Sequence, residues 1–84
     1  MLSPGNHVAI GDQKIAKVTW HEAVKGLATI RDTNGVLISL PYTGVGNEPS
    51  RTFNPPLSAV GGVFASAPSG WLVVVLQGAS GFGG

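Results

Sequence analysis

His21 and Glu22 are the first pair in the chain whose types invite chemistry. A histidine followed by a glutamate opens the HExxH zinc-protease motif, in which a second histidine one helical turn later completes the ligand pair. Here the run is HEAVK, and Lys25 stands where that histidine is needed. Adjacent residues on a strand point to opposite faces, so the pair reads as a solvated turn. Gly44-Val45-Gly46 begins like a dinucleotide fingerprint, but Pro49 occupies the third glycine position and no βαβ unit surrounds it. Gly78 to Phe82, GASGF, misses the nucleophile elbow because Phe82 replaces its final glycine, which leaves Ser80 without a catalytic setting.

The remaining ionisable groups are sparse. Asp12, Glu22, Asp32 and Glu48 all fall in expected turns or loops. A general acid–base pair needs carboxyls coupled or desolvated in a cleft, and nothing in the sequence couples these four. Asp32 reads as a residue that supports its own turn. His7 and His21 cannot close a zinc site without carboxylates, and the chain has no cysteine. Lys14, Lys17 and Arg31 make at most a small basic, solvated face. The five basic residues are spread along the chain and offset by four acidic ones, which does not favour nucleic-acid binding. The expectation is a non-enzyme with no catalytic residue, cofactor or metal.

The elements that would carry these residues are mainly β. Thirteen glycines and six prolines in 84 residues argue against a helical bundle. Residues 1–6 read as an irregular lead-in, HVAI (7–10) as a short strand, and Gly11-Asp12 as a turn. Residues 13–25 admit two readings. Lys17, Thr19 and His21 alternate with Ala16, Val18 and Trp20 as on a strand, whereas Ala16, Trp20, Ala23, Val24 and Leu27 would form one helical stripe. The β-prone stretch IAKVTW favours the strand, with a short helix at 13–25 as the alternative. LATIRDTNGVLISL (27–40) reads as a hairpin about Asn34-Gly35, with Arg31 opposite Val36 and Ile30 opposite Leu37 as the preferred register. Residues 41–58 hold four of the six prolines and read as a long Pro/Gly-rich loop.

AVGGVFASA (59–67) reads as a strand weakened by Gly61-Gly62, and residues 67–70 as a turn. WLVVVL (71–76) is the strongest strand signal, apolar at every position, and reads as buried on both faces. The chain thus divides into a small β domain, 1–77, and a glycine-rich tail, 78–84. The fold class is all-β: a single small barrel or sandwich of about five or six strands.

Charge is distributed unevenly. Charged residues are 11% of the chain, and none occurs after Arg51. A membrane helix needs about 20 continuous apolar residues; the longest run here is six, and Pro68-Ser69-Gly70 precedes it. No membrane span is expected. Interface cores are poor in charge and rich in aromatics, so the uncharged half reads as a surface that another chain covers. Tyr42, Phe53, Phe64, Trp71 and Phe82 are the candidate interface residues. A chain this short is near the limit of independent stability. With disulfides excluded, a homo-oligomer or a larger protein partner is the expected support, and the tail is expected to order only against a neighbour.

MLSPGNHVAIGD lacks the basic and apolar regions of a secretory signal, and the chain reads as a complete reading frame made in the cytoplasm. Low charge, richness in Gly, Ser, Thr and Ala, and absence of cysteine resemble the composition of virion subunits such as phage capsid decoration, cement or tail components. The resemblance is one of composition and covers no motif. It implies a structural protein located in the virion. The alternative is a cytoplasmic, SH3-like small-barrel module that binds a peptide or nucleic acid through His7, Lys17, Trp20 and Tyr42.

Overall fold

The computed structural model describes residues 8–77 with their side chains and the backbone of residues 79–83. The expected lead-in 1–6, His7, and the Phe82 side chain lie outside the described residues. The chain is all-β. Its strands are β1 (Ala9–Ile10), β2 (Gln13–His21), β3 (Gly26–Asp32), β4 (Gly35–Tyr42), β5 (Ser50–Ala59), β6 (Gly62–Ser66), β7 (Trp71–Leu76) and β8 (Ala79–Gly83). They form two four-stranded antiparallel sheets, ordered β1-β6-β3-β4 and β5-β2-β7-β8. Among the described residues there are eight strands, where about five or six were expected.

One core joins the sheets. Ala28, Ile30, Ile38, Leu40, Val63 and Ala65 face it from the first sheet, and Ile15, Val18, Trp20, Leu72, Val74 and Leu76 from the second. Period-two alternation produces this arrangement, since every second residue of a strand shares a face. The 13–25 segment is strand, not helix: β2 runs to His21 and buries Val18 and Trp20 while Lys17, Thr19 and His21 face outward. Trp20 is fully buried, and its indole N–H donates to the Ser69 carbonyl at 2.8 Å. A buried indole needs such a partner.

Three sequence expectations change. Residues 41–58 are not a long loop. Pro41 and Tyr42 complete β4, residues 43–49 make the connection, and β5 begins at Ser50. Proline is tolerated in a strand at a sheet edge, and β5 is an edge strand. Its ladder to β2 is interrupted between Thr52 and Leu57, around Pro55 and Pro56. Residues 59–67 are not one strand: Ala59 ends β5, and Val60-Gly61 turn the chain into β6. β7 is not buried on both sides. Leu72, Val74 and Leu76 face the core, while Trp71 and Val75 are exposed and Val73 is half-buried.

The 27–40 hairpin has the expected Arg31–Val36 pair, but Ile30 lies opposite Ile38 rather than Leu37, across a bulge. Asp32 pairs with Gly35, which reduces the loop to Thr33-Asn34. The bulge sets both isoleucines inward, where a regular register would have used the half-buried Leu37. The glycine-rich segment 79–83 takes its hydrogen-bonding partner from its own chain: β8 pairs with β7 from Leu72–Gly83 to Leu76–Ala79.

Candidate interaction surface

The outer side of the second sheet follows from its register. In antiparallel pairs, directly opposed residues share a face. Trp71, Val73 and Val75 of β7 lie opposite His21, Thr19 and Lys17 of β2. Thr19 and Lys17 lie in turn opposite Ser50 and Thr52 of β5. The result is an apolar row beside a polar row on one solvent-facing surface. Trp71 is 40% exposed and Val75 37%. The polar row ends on Lys17, opposite Val75, and the Thr19 and Ser50 hydroxyls lie 3.2 Å apart.

Trp71 is held in place by the loops at its end of the sheet. Its ring stacks on His21, with centroids 5.6 Å apart and planes 30° from parallel. His21 Nδ1 lies 3.4 Å from Glu48 Oε1, and Glu48 Oε2 accepts the Ala23 N–H at 3.3 Å. Ser69 Oγ donates to the Glu22 carbonyl at 2.9 Å. Gly70, at φ 59°, passes so close to the His21 carbonyl that a Cβ there would overlap it. Glycine is the residue that meets both demands, a left-handed φ and no side chain. Glu22 also has a positive φ, 54°, at the corner where β2 ends.

The other expected contact residues are dispersed. Tyr42 is half-buried, packs edge-on against Trp20 with centroids 6.3 Å apart, and donates its hydroxyl to the Gly46 carbonyl at 2.9 Å. Phe53 is half-buried on β5, packs against the core, and carries the Arg51 guanidinium 5.2 Å above its ring. Phe64 is half-buried and shares a face of the first sheet with the exposed Arg31. Backbone pairing sets Phe82 opposite Val73. Trp71 and the Phe82 position thus belong to one sheet and Phe64 to the other. Val73 and Val75 join the surface without having been expected there. Their signal was the Lys17-Thr19-His21 alternation on the neighbouring strand, which defines the outer face that β7 must share.

Of the alternative binding set, Lys17 is exposed and Tyr42 has its hydroxyl engaged. Trp20 is a core residue rather than a binding one. A shallow groove of about 510 Å3 lies at the start of β2, lined by Asp12, Lys14, Ser58, Val60 and Gln77 among others. Three of its polar side chains bond within the chain: Asp12 accepts the Gly61 N–H at 2.8 Å, and Lys14 Nζ donates to Ser58 Oγ at 3.2 Å. Among the described residues, no group of three or more His, Asp or Glu could hold a metal ion, and no helix is long and apolar enough to cross a membrane.

Comparison with protein-family models, with curated proteins and with solved structures finds no match to this chain.

Proposed function

We propose that the chain is a non-enzymatic structural subunit that attaches to a larger protein assembly through the outer face of its second sheet. A virion is the assembly that best suits its composition, with capsid decoration, cement or tail component as the role. One observation carries the reading: Trp71, Val73 and Val75 present an apolar row to solvent on one strand, within the charge-free stretch that follows Arg51. Exposed apolar residues scattered singly are ordinary, whereas a contiguous row rimmed by polar groups marks a contact surface. Trp71 has the character of an interface anchor, an aromatic fixed before binding by His21 and by the turn at Gly70. Its preorganisation lowers the entropic cost of docking.

The test uses tagged chain in its source cells, followed by gradient sedimentation of high-mass particles. Wild-type chain should co-sediment with a particle at fixed stoichiometry, and Val75→Lys should remain at the top of the gradient. Wild-type chain found only as free protein overturns the reading.

A further inference from the structure

The two sheets have four edges, and three of them are protected. β1 is only two residues long. β5 contains Arg51, Pro55 and Pro56, and its ladder is broken about the prolines. β8 lies beside β6 of the opposite sheet. β4 is different. It has eight residues, GVLISLPY, with no charge, one proline at its penultimate position and a bulge at Leu37, which leaves Ile38 to Tyr42 in regular register with β3. Among the described residues no strand pairs with its outer edge. An uncharged edge is a template for another strand, and proteins ordinarily block it with charge, proline or a bulge; β4 has no charge, and its bulge and its proline stand to either side of Ser39.

We propose that β4 pairs antiparallel with β4 of a second copy across a two-fold axis, joining two four-stranded sheets into one of eight strands. Charge argues for a second copy as the occupant. A two-fold axis sets a strand against itself, so a charge near the axis would face or flank its like, and like charges opposed across strands are destabilising. β4 has none. Face matching argues the same way. Opposed residues share a face, so Ser39 lies across from Ser39 or Pro41 of the other strand. In each such register Ile38 and Leu40, both 2% exposed, keep to the core side in both copies. Isologous two-fold contacts are also the commonest way that identical chains associate. One strand pair is smaller than the roughly 800 Å2 per partner of a standard interface, so the pairing is a concentration-dependent equilibrium.

This edge belongs to the first sheet and stands apart from the Trp71 face, so the two proposals fail separately. The test is light scattering over a concentration series for the wild type, Ser39→Lys, Ser39→Asp, and an equimolar mixture of the two variants. Ser39 is exposed, and unfolding curves check that each variant is folded. The wild type should pass from monomer to dimer as concentration rises. Each variant alone should remain monomeric, and the mixture should dimerise, because lysine then faces or flanks aspartate across the axis. A wild type that stays monomeric overturns the proposal. So do Ser39 variants that dimerise as the wild type does. If Val75→Lys abolishes a dimer that Ser39→Lys retains, the contact is the Trp71 face and the β4 pairing is overturned.

Discussion

Asp32 Oδ2 accepts the Val60 N–H at 3.1 Å, across 28 residues of sequence. The same carboxylate accepts the Asn34 N–H through Oδ1 at 2.8 Å. One side chain therefore shapes its own hairpin turn and ties that turn to the β5–β6 connection. Thr33 reinforces the tie from the next position: its N–H and hydroxyl both donate to the Val60 carbonyl, at 3.1 and 2.7 Å. Beneath them Gly61, at φ 78°, leaves room for Thr33 that a Cβ would take. Asp32 is the buried charged residue of the described chain. Its negative charge is stabilised by directed N–H groups rather than by a cation.

The first expected outcome is a dependence of stability on acid. The Val60 N–H, and after it the Asn34 N–H, hold the Asp32 carboxyl below its ordinary value of 3.8. The folded-state pKa lies below the unfolded one, so the unfolded chain binds the proton more readily. This contribution to stability is fully present above the unfolded value and is lost as pH falls through the folded one. Urea unfolding between pH 6 and pH 2.5 should show a constant midpoint at the upper end and a decline below about pH 4. Asp32→Asn should start from a lower midpoint and decline less. An unchanged decline in that variant would show that other carboxyls cause it.

The two tryptophans should respond oppositely. Trp20→Ala removes a fully buried ring and leaves its cavity, at a cost of about 3–5 kcal/mol, enough to unfold a domain of this size in mild denaturant. Trp71→Ala removes a partly exposed ring and should cost about 1 kcal/mol or less. Fluorescence separates them without any partner. Trp71→Phe should leave blue-shifted emission that iodide does not quench, and Trp20→Phe red-shifted emission that it does. Equal quenching of the two variants would contradict the inward and outward settings of residues 20 and 71.

Legibility in the sequence followed how local the cause was. Asn34-Gly35 is a turn signal only two residues long, and Gly35 does take a positive φ, 124°, so the hairpin was readable. The Asp32 turn was readable for the same reason. Lys17, Thr19 and His21 alternate strictly, which favoured strand over helix for β2. β5 was hidden because its prolines are acceptable only at a sheet edge, and edge position is a property of the assembled fold. Leu72 to Leu76 posed a related difficulty. A strand buried on both sides and a strand with an apolar solvent face have the same composition, and the neighbouring register decides between them. The 79–83 segment is poor in β-prone side chains, and its pairing with β7 relies on backbone hydrogen bonds that glycine supplies as well as valine.

The outer row should be replaceable without harm to the fold. Val73→Thr with Val75→Thr keeps β-branching, and hence strand preference, while adding hydroxyls beside Thr19 and Lys17. The core-facing residues Leu72, Val74 and Leu76 are untouched. Thermal unfolding should shift by about 1 kcal/mol or less, while capture by the assembly weakens at least tenfold. A large loss of stability would mean that this row is packed within the chain instead of being available to a partner.

Gly70 tests whether the Trp71 platform depends on close backbone approach. Two glycines with left-handed φ make the comparison: Gly70 at 59° and Gly11 at 79°. Alanine at either position carries the left-handed penalty of about 1–2 kcal/mol. At Gly11 a Cβ would meet nothing within 4 Å, whereas at Gly70 it would collide with the His21 carbonyl and crowd the Glu22 carbonyl. These are backbone atoms, which cannot rotate aside as a side chain could. Gly70→Ala must therefore push the 67–70 turn away from the end of β2, straining the Ser69–Glu22 and Trp20–Ser69 hydrogen bonds together. The expected loss is clearly larger than that of Gly11→Ala, with a change in Trp71 fluorescence as the ring leaves His21. Equal losses in the two variants, measured by urea unfolding, would mean that the turn does not press on His21 and that Trp71 is positioned by β7 alone.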